Sequence, residues 1–352
     1  MNSRKKYCLG VMSGTSLDGV DICYVRFDYN STYNFEILKS LTYKYPDTWK
    51  LTLQNAFNAD EKSLINLDVE YGNYLGSLIN QFIDENNISN IDFIASHGHT
   101  IFHKPEEGYT LQIGNGQVIA DVTQLKVICD FRTQDVKLGG QGAPLVPIGD
   151  KLLFDDYDYC LNLGGFVNVS FKEDNKRIAF DICPINIVLN HYVNKLGFAF
   201  DDKGQIASTG KINKELLKRL NALEFYHQNP PKSLGLEWVL EFINPLIDSY
   251  QLDIKDILRT FTEHVAFQIS NIIKKDSSIL VTGGGAFNDF LMQRIEFYLE
   301  QKISLPATQL IDFKEALIFS FLGLLYIENQ VNCLKSVTGA SKDHCSGVIF
   351  IP

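Results

Sequence analysis

The string Gly10-Val11-Met12-Ser13-Gly14-Thr15-Ser16-Leu17-Asp18-Gly19-Val20-Asp21 gathers groups suited to holding an anion. Gly14 and Gly19 permit positive φ and let backbone amides come close to a phosphate. Ser13, Thr15 and Ser16 add hydroxyl donors, and Asp18 or Asp21 can hold a water bound to Mg2+. The same residue types also make an ordinary hairpin turn, so the loop alone leaves both readings open. A second concentration is His97-x-His99 followed by His103. An H-x-H after a buried strand is how a metal hydrolase begins its ligand set. The other histidines (His191, His227, His264, His344) fall mostly in expected helices, which favours a cleft or packing role for these three.

These groups need elements to carry them. Residues 7–12 and 20–27 are apolar runs either side of the first loop and 35–43 alternates, which predicts a hairpin extended by a third strand. Residues 64–83 carry apolar positions at helical spacing, and 91–95 and 127–129 read as strands before a Gly/Pro-rich loop at 138–147. The outline then repeats. Residues 158–163 and 166–171 flank Gly164-Gly165, 177–180 makes a third strand, and Pro184 fits the first position of a helix. Residues 213–223, 238–249 and 254–273 read as helices. A strand at 279–281 ends at Gly283-Gly284-Gly285 and opens a helix from Asn288. The last long helix is expected at 312–328, with Asp312-Phe313-Lys314-Glu315 as its capping box. Two strand–glycine turn–strand units, each leading to helices, predict duplicated α/β lobes.

A chain of 352 residues has room for two lobes, and 45% hydrophobic with 21% charged residues is ordinary for a globular protein. A net charge of −10 argues against a nucleic-acid partner, since counterion replacement needs a basic face. Any phosphate must then be held by local amides and a metal ion. The seven cysteines form no C-x-x-C pair and sit mostly in apolar runs, as reduced thiols do when they serve as small hydrophobes. The basic start leads into a strand rather than an apolar signal segment. The most apolar stretch, 316–327, is about half the ~20 residues a bilayer requires. A cytoplasmic protein with no membrane partner is expected.

Over nearly its whole length the chain resembles the anhydro-N-acetylmuramic acid kinases, of the actin, heat-shock and sugar-kinase fold group. The first loop carries the likeness, and so do Ser96–His103 (with His99 where the family usually has Gln) and Leu111-Gln112-Ile113-Gly114. Asp130-Phe131-Arg132 with Asp135, the run Leu138–Pro147 and Asn162-Leu163-Gly164-Gly165 with Asn168 continue it. Pro231-Lys232-Ser233 with Gly235 and Glu237, Gly283–Gly285 with Asn288, and Ser336–Ser341 complete it.

The resemblance implies an α/β, two-lobed actin-like ATPase (ribonuclease H-like) fold, with duplicated lobes around a central cleft that closes over ATP and Mg2+. Lobe boundaries are expected at 1–130 plus 335–352, and at 131–334. It implies an ATP-dependent kinase that opens 1,6-anhydro-N-acetylmuramic acid with water and phosphorylates O6, a step of cell-wall (peptidoglycan) recycling, in a homodimer. ATP is implied to lie on Gly14, Thr15, Ser16, Leu17, Asp18, Gly19, Val20 and Asp21, on Gly164, Gly165 and Asn168, and on Gly283, Gly284, Gly285 and Asn288, with Asp18 an outer-shell Mg2+ ligand. Backbone-amide cradles and a glycine turn with no Cβ against a purine suit those tasks. The sugar is implied to meet Ser13, His97, Arg132, Gly140, Gln141, Asn186 and Glu315. A planar guanidinium at Arg132 suits its lactyl carboxylate.

Asp181 is implied to be the general base, taking a proton from the attacking water. A helix N-terminal carboxylate is its plainer alternative. Around it the family's F-D-T-G-P-G-N string reads Phe180-Asp181-Ile182-Cys183-Pro184-Ile185-Asn186. Those substitutions favour a second reading, a kinase for a different anhydro- or amino-sugar; a different class altogether is a catalytically silent ATP- or sugar-binding relative. Retention of Asp181 and both phosphate loops argues against the silent reading.

Overall fold

The apolar runs either side of the first loop pair with each other and seed a sheet. The computed structural model describes residues 4–14 and 17–352. Its strands, in chain order, are β1 (Arg4–Ser13), β2 (Val20–Tyr29), β3 (Tyr33–Tyr43), β4 (Phe93–Lys104), β5 (Tyr109–Ile113), β6 (Val127–Cys129), β7 (Tyr159–Leu163), β8 (Phe166–Glu173), β9 (Lys176–Pro184), β10 (Ile279–Thr282) and β11 (Val348–Phe350). The chain divides into two compact units, Met1–Leu153 with Phe313–Pro352, and Phe154–Asp312. The boundaries expected at 130 and 335 both fall inside the first unit. The helix Thr308–Ile327 explains why: it packs on the first sheet through Phe321 against Phe27, and on the helix Pro147–Leu153 through Ile318 against Gly149.

In the first unit the strand order is β11-β6-β4-β1-β2-β3, with β5 pairing β4. The β1–β2–β3 meander is antiparallel, and β4 joins β1 in parallel. In the second unit the order is β10-β7-β8-β9, again an antiparallel meander with a parallel strand added beside its first member. The α/β class and the duplication therefore hold at the level of strand order.

Leu9, Val11, Val20 and Ile22 pack on the helix Glu61–Glu85 through Leu64, Leu67, Tyr71, Leu75, Ile79 and Phe82, a stripe at three- and four-residue spacing. Asp60 caps that helix by accepting from the Ser63 amide at 2.8 Å. Gly10 is a packing requirement, since a Cβ there would overlap the carbonyl oxygen of Ala316. In the second unit Leu161, Leu163, Val167, Val169, Phe180 and Ile182 pack with Phe261, Val265 and Ile269 of the helix Ile254–Ser270.

Two expectations are corrected. Pro184 ends β9 instead of opening a helix, and the helix is Asn186–Asn194. β9 is an edge strand and Pro184 is its last residue, positions at which a residue without an N–H is tolerated. The last long helix begins at Thr308, where the Leu310 and Ile311 amides already bond the Ala307 carbonyl. Asp312–Glu315 therefore lie inside the helix, and the capping-box reading fails. Among the described residues all seven cysteines are free thiols, and no helix is long and apolar enough to cross a membrane.

Candidate active site

The candidate residues fall into two sets, one in each unit. In the first, β1 and β2 carry the first loop, where the Leu17 amide bonds the Gly14 carbonyl at 3.2 Å. The positive φ falls on Leu17 (59°) and not on Gly19. Gly19 is needed for another reason: a Cβ would stand 2.5 Å from the Tyr43 carbonyl oxygen of β3. Asp18 is exposed, Val20 is a core residue, and Asp21 accepts from the Thr42 hydroxyl at 2.6 Å. Thr15 and Ser16 lie outside the described residues. Ser13 is buried, and its hydroxyl bonds Tyr45 Oη at 2.6 Å and His99 Nδ1 at 2.8 Å; Tyr45 in turn bonds Tyr71. Burial pushes the His99 pKa down to about 4, so this imidazole is neutral at physiological pH.

The β1–β4 ladder slips between the Val11–Ser96 and Ser13–His99 pairs, with Gly98 at φ +70. Such a bulge re-aims neighbouring side chains. His97 Nδ1 bonds the Gly98 carbonyl at 3.0 Å, and its Nε2 accepts from Arg132 Nε at 3.0 Å. Since arginine only donates, this fixes the neutral Nδ1–H tautomer. Burial and the nearby guanidinium hold the His97 pKa well below the usual range. Arg132 Nη1 bonds the Gly142 carbonyl at 2.7 Å, and burial lowers the arginine pKa to about 10. Loss of hydration raises the Glu315 carboxyl pKa, against the pull of Lys314 and Arg132. Lys314 itself pairs with buried Asp150 at 2.7 Å.

The loop holding Gly140 and Gln141 is organised by fully buried Asp135. Its carboxylate accepts from the Gly142 amide at 2.7 Å, and its backbone carbonyl from the Gly140 amide at 2.9 Å. A Cβ on Gly140 would strike that carboxylate. Gln141 is exposed, with its amide on the Thr338 carbonyl at 2.8 Å. His97 and His99 thus serve different partners, and His103 is exposed. Among the described residues these histidines share no ligand set, which leaves the metal-hydrolase reading without support.

In the second unit a polar row crosses the sheet: Thr282 pairs Asn162, Asn162 pairs Asn168, and Asn168 pairs Asp181. Directly paired residues share a face. Beside Asp181 the β8–β9 ladder carries a bulge at Ile182. Asp181 therefore stays on the polar face while Ile182 and Cys183 both enter the apolar core, where Ile185 joins them. The three residues that depart from the family string all pack in this core.

The Leu234 amide donates to Asp181 Oδ2 at 2.8 Å, and the Asp181 amide bonds the Lys232 carbonyl at 3.1 Å. Burial raises the Asp181 pKa to about 6, with the Leu234 bond opposing. Because Asp181 lies within a strand, the helix-dipole explanation of this carboxylate falls away. A carboxylate titrating near 6 is mostly ionised at neutral pH and can take up a proton.

The turn Gly164-Gly165 is held from behind. Asn186 Nδ2 bonds the carbonyls of Leu163 at 3.1 Å and Gly164 at 2.6 Å, and the Ile185 amide bonds the Gly165 carbonyl at 2.9 Å. Asn186 thus shapes the expected phosphate turn. Gly283 has φ +83, and a Cβ would lie 2.5 Å from Asn162 Oδ1. Gly284 is open, Gly285 abuts Leu163, and Asn288 caps the helix Asp289–Leu299 by accepting from the Leu291 amide at 3.0 Å.

Leu234, Tyr45, Tyr71 and Asp135 carried no assigned role in the sequence reading. Asn162 was legible, because the short glycine turn sets it opposite Asn168. The Leu234 and tyrosine contacts join distant segments and leave no local signal.

A family model described as anhydro-N-acetylmuramic acid kinase matches residues 6–352. The anhydro-N-acetylmuramic acid kinase of Mannheimia succiniciproducens is 34% identical over 374 aligned positions, covering 98% of this chain and 99% of that protein. That of Shewanella denitrificans is 35% identical over 369, covering 98% of each. Among solved structures, a ROK family glucokinase from Streptomyces griseus in complex with glucose and AMPPNP aligns at 13% identity and a TM-score of 0.40, covering 90% of this chain and 98% of its own. That likeness is loose.

Proposed function

This chain belongs to the anhydro-N-acetylmuramic acid kinase family, and on that premise we propose that it opens 1,6-anhydro-N-acetylmuramic acid with water and phosphorylates O6 at the expense of ATP. The product is N-acetylmuramic acid 6-phosphate, in peptidoglycan recycling. The observation that carries the reading is Asp181, a carboxylate set beside a strand bulge, held by the Leu234 amide and raised by burial to about 6. It takes a proton from the water that attacks the anomeric carbon as the C1–O6 bond breaks. The freed O6 then takes the γ-phosphoryl group and ADP leaves. For the phosphoryl step, positioning and charge neutralisation supply most of the rate.

ATP phosphates are assigned to the loop from Gly14 to Asp21 and to Gly164, Gly165 and Asn168. The adenosine is assigned to Gly283–Gly285 and Asn288. Exposed Asp18 offers the hard oxygen that Mg2+ takes directly or through water, and the ion supplies phosphate charge neutralisation when bound. Ser13, His97, Gly140 and Asn186 are assigned to the sugar as well, each also bonded or packed within the protein. Arg132, Gln141 and Glu315 are the groups assigned to reach the sugar.

A kinase for another anhydro- or amino-sugar loses its main support, since Ile182, Cys183 and Ile185 lie in the core. A cytoplasmic location is in keeping with the free thiols. The homodimer rests on the family resemblance and is tested by sedimentation. The deciding experiment is ADP release with 1,6-anhydro-N-acetylmuramic acid beside the analogue lacking the lactyl group, with mass analysis of the product. Absence of sugar-dependent ADP sinks the proposal.

A further inference from the structure

We propose that Asp135, Cys333 and His344 form a binding site for a divalent transition-metal ion, Zn2+ by preference, which ties the C-terminal segment to the loop Gly140–Gly142. All three side chains are buried in the first unit, and their donor atoms lie within 4.8 Å of one another. Cys333 Sγ is 3.0 Å from Asp135 Oδ1, and His344 Nε2 is 3.6 Å from the same oxygen. Tetrahedral ligands at the usual Zn–S, Zn–N and Zn–O lengths stand roughly 3.3–3.8 Å apart, so small side-chain adjustments suffice.

The backbone holds these ligands in place. Cys333 and His344 face each other across an antiparallel bridge, with both amide–carbonyl bonds at 3.1 Å. Asp135 sits on the short helix Thr133–Lys137. His344 Nδ1 bonds the Lys342 carbonyl at 3.2 Å, which places its proton there and leaves the Nε2 lone pair facing the cluster. Metal-bound histidines are oriented in this way by their outer partners. Nε2 is buried and has no hydrogen-bond partner, a costly state for an acceptor that a metal would relieve.

The carboxylate is likewise oriented from outside, by the Gly142 amide on Oδ2 and the Thr338 hydroxyl on Oδ1, each at 2.7 Å. A water completes four-coordination. One sulfur, one imidazole and one carboxylate favour Zn2+ over Mg2+, which separates this site from the ion that accompanies ATP. On binding, the thiol proton leaves to solvent as the sulfur–metal bond forms. The rival is a hydrogen-bonded node in which the thiol simply donates to Asp135.

The test uses the full chain, stripped of metal and titrated with Co2+, then with competing Zn2+. Saturation at one equivalent, with a near-ultraviolet thiolate-to-cobalt charge-transfer band, is expected. Cys333→Ser, which can still donate to Asp135, and His344→Gln should each lose affinity by more than the ~10–100-fold that an outer-shell partner is worth. Cys345→Ser should bind as the parent does. No saturable band in the folded parent overturns the proposal, whatever the variants do, and so does a band that persists in Cys333→Ser.

Discussion

Replacing Asp181 by asparagine separates the two consequences of its environment. The amide side chain would keep an oxygen for the Leu234 N–H but could neither ionise nor take a proton. Burial raises the aspartate from 3.8 to about 6, a shift of about two units, or ~3 kcal/mol at 1.36 kcal/mol per unit. The side chain is half-buried, and solvent screening trims this to ~1–2 kcal/mol. The sign follows from the raised folded pKa. Stability is complete below about pH 3.8, where the group is protonated in both states, and is lost as pH rises through about 6. Asp181→Asn should therefore be more stable than the parent by ~1–2 kcal/mol at pH 8, with the gap closing toward pH 4. Its sugar-dependent ADP release should fall by ~10²–10⁴-fold, and kcat/KM of the parent should decline below about pH 6. Urea unfolding at the two pH values, with a coupled ADP assay, reads all three. A variant within ~10-fold of the parent refutes the general-base role. A variant less stable at pH 8 refutes the burial argument.

The remaining substitutions probe geometry. Gly283→Ala forces an alanine to φ +83 with its Cβ 2.5 Å from Asn162 Oδ1, and should cost ~1–3 kcal/mol in urea unfolding. Arg132→Lys cannot bond His97 and the Gly142 carbonyl together, so KM for the anhydro-sugar should rise at least ~10-fold, with little change for the analogue lacking the lactyl group. Ile182→Thr buries a hydroxyl in the core and should cost ~1–3 kcal/mol while leaving the order of sugar preference unchanged. A shifted preference would return that side chain to the substrate. His99→Gln keeps a partner for Ser13 and should leave the pH profile above about pH 5 unaltered, because the imidazole is neutral there.

Residue types and spacing determined the duplicated strand–turn–strand units, a helix at 64–83 that the structure extends to Glu61–Glu85, and the glycine turns, while the family came from the likeness of whole motifs. These are local patterns: alternation, helical period and turn chemistry depend on near neighbours, and they survive being read one segment at a time. Tertiary pairing decided the rest. The bulge at Ile182 exists only because β9 lies against β8, and it sends Ile182 and Cys183 into the core while leaving Asp181 on the polar face. Pro184 ends a strand because β9 is an edge, and Glu315 lies inside a helix because that helix starts a turn early. Leu234 reaches Asp181, and Thr338, Cys333 and His344 gather on Asp135, across separations that no local rule spans. The first loop shows the division most plainly. Its glycines and hydroxyls were legible as a turn suited to an anion, but the positive φ falls on Leu17, and the pressure of Tyr43 on Gly19 arises only when β2 pairs with β3.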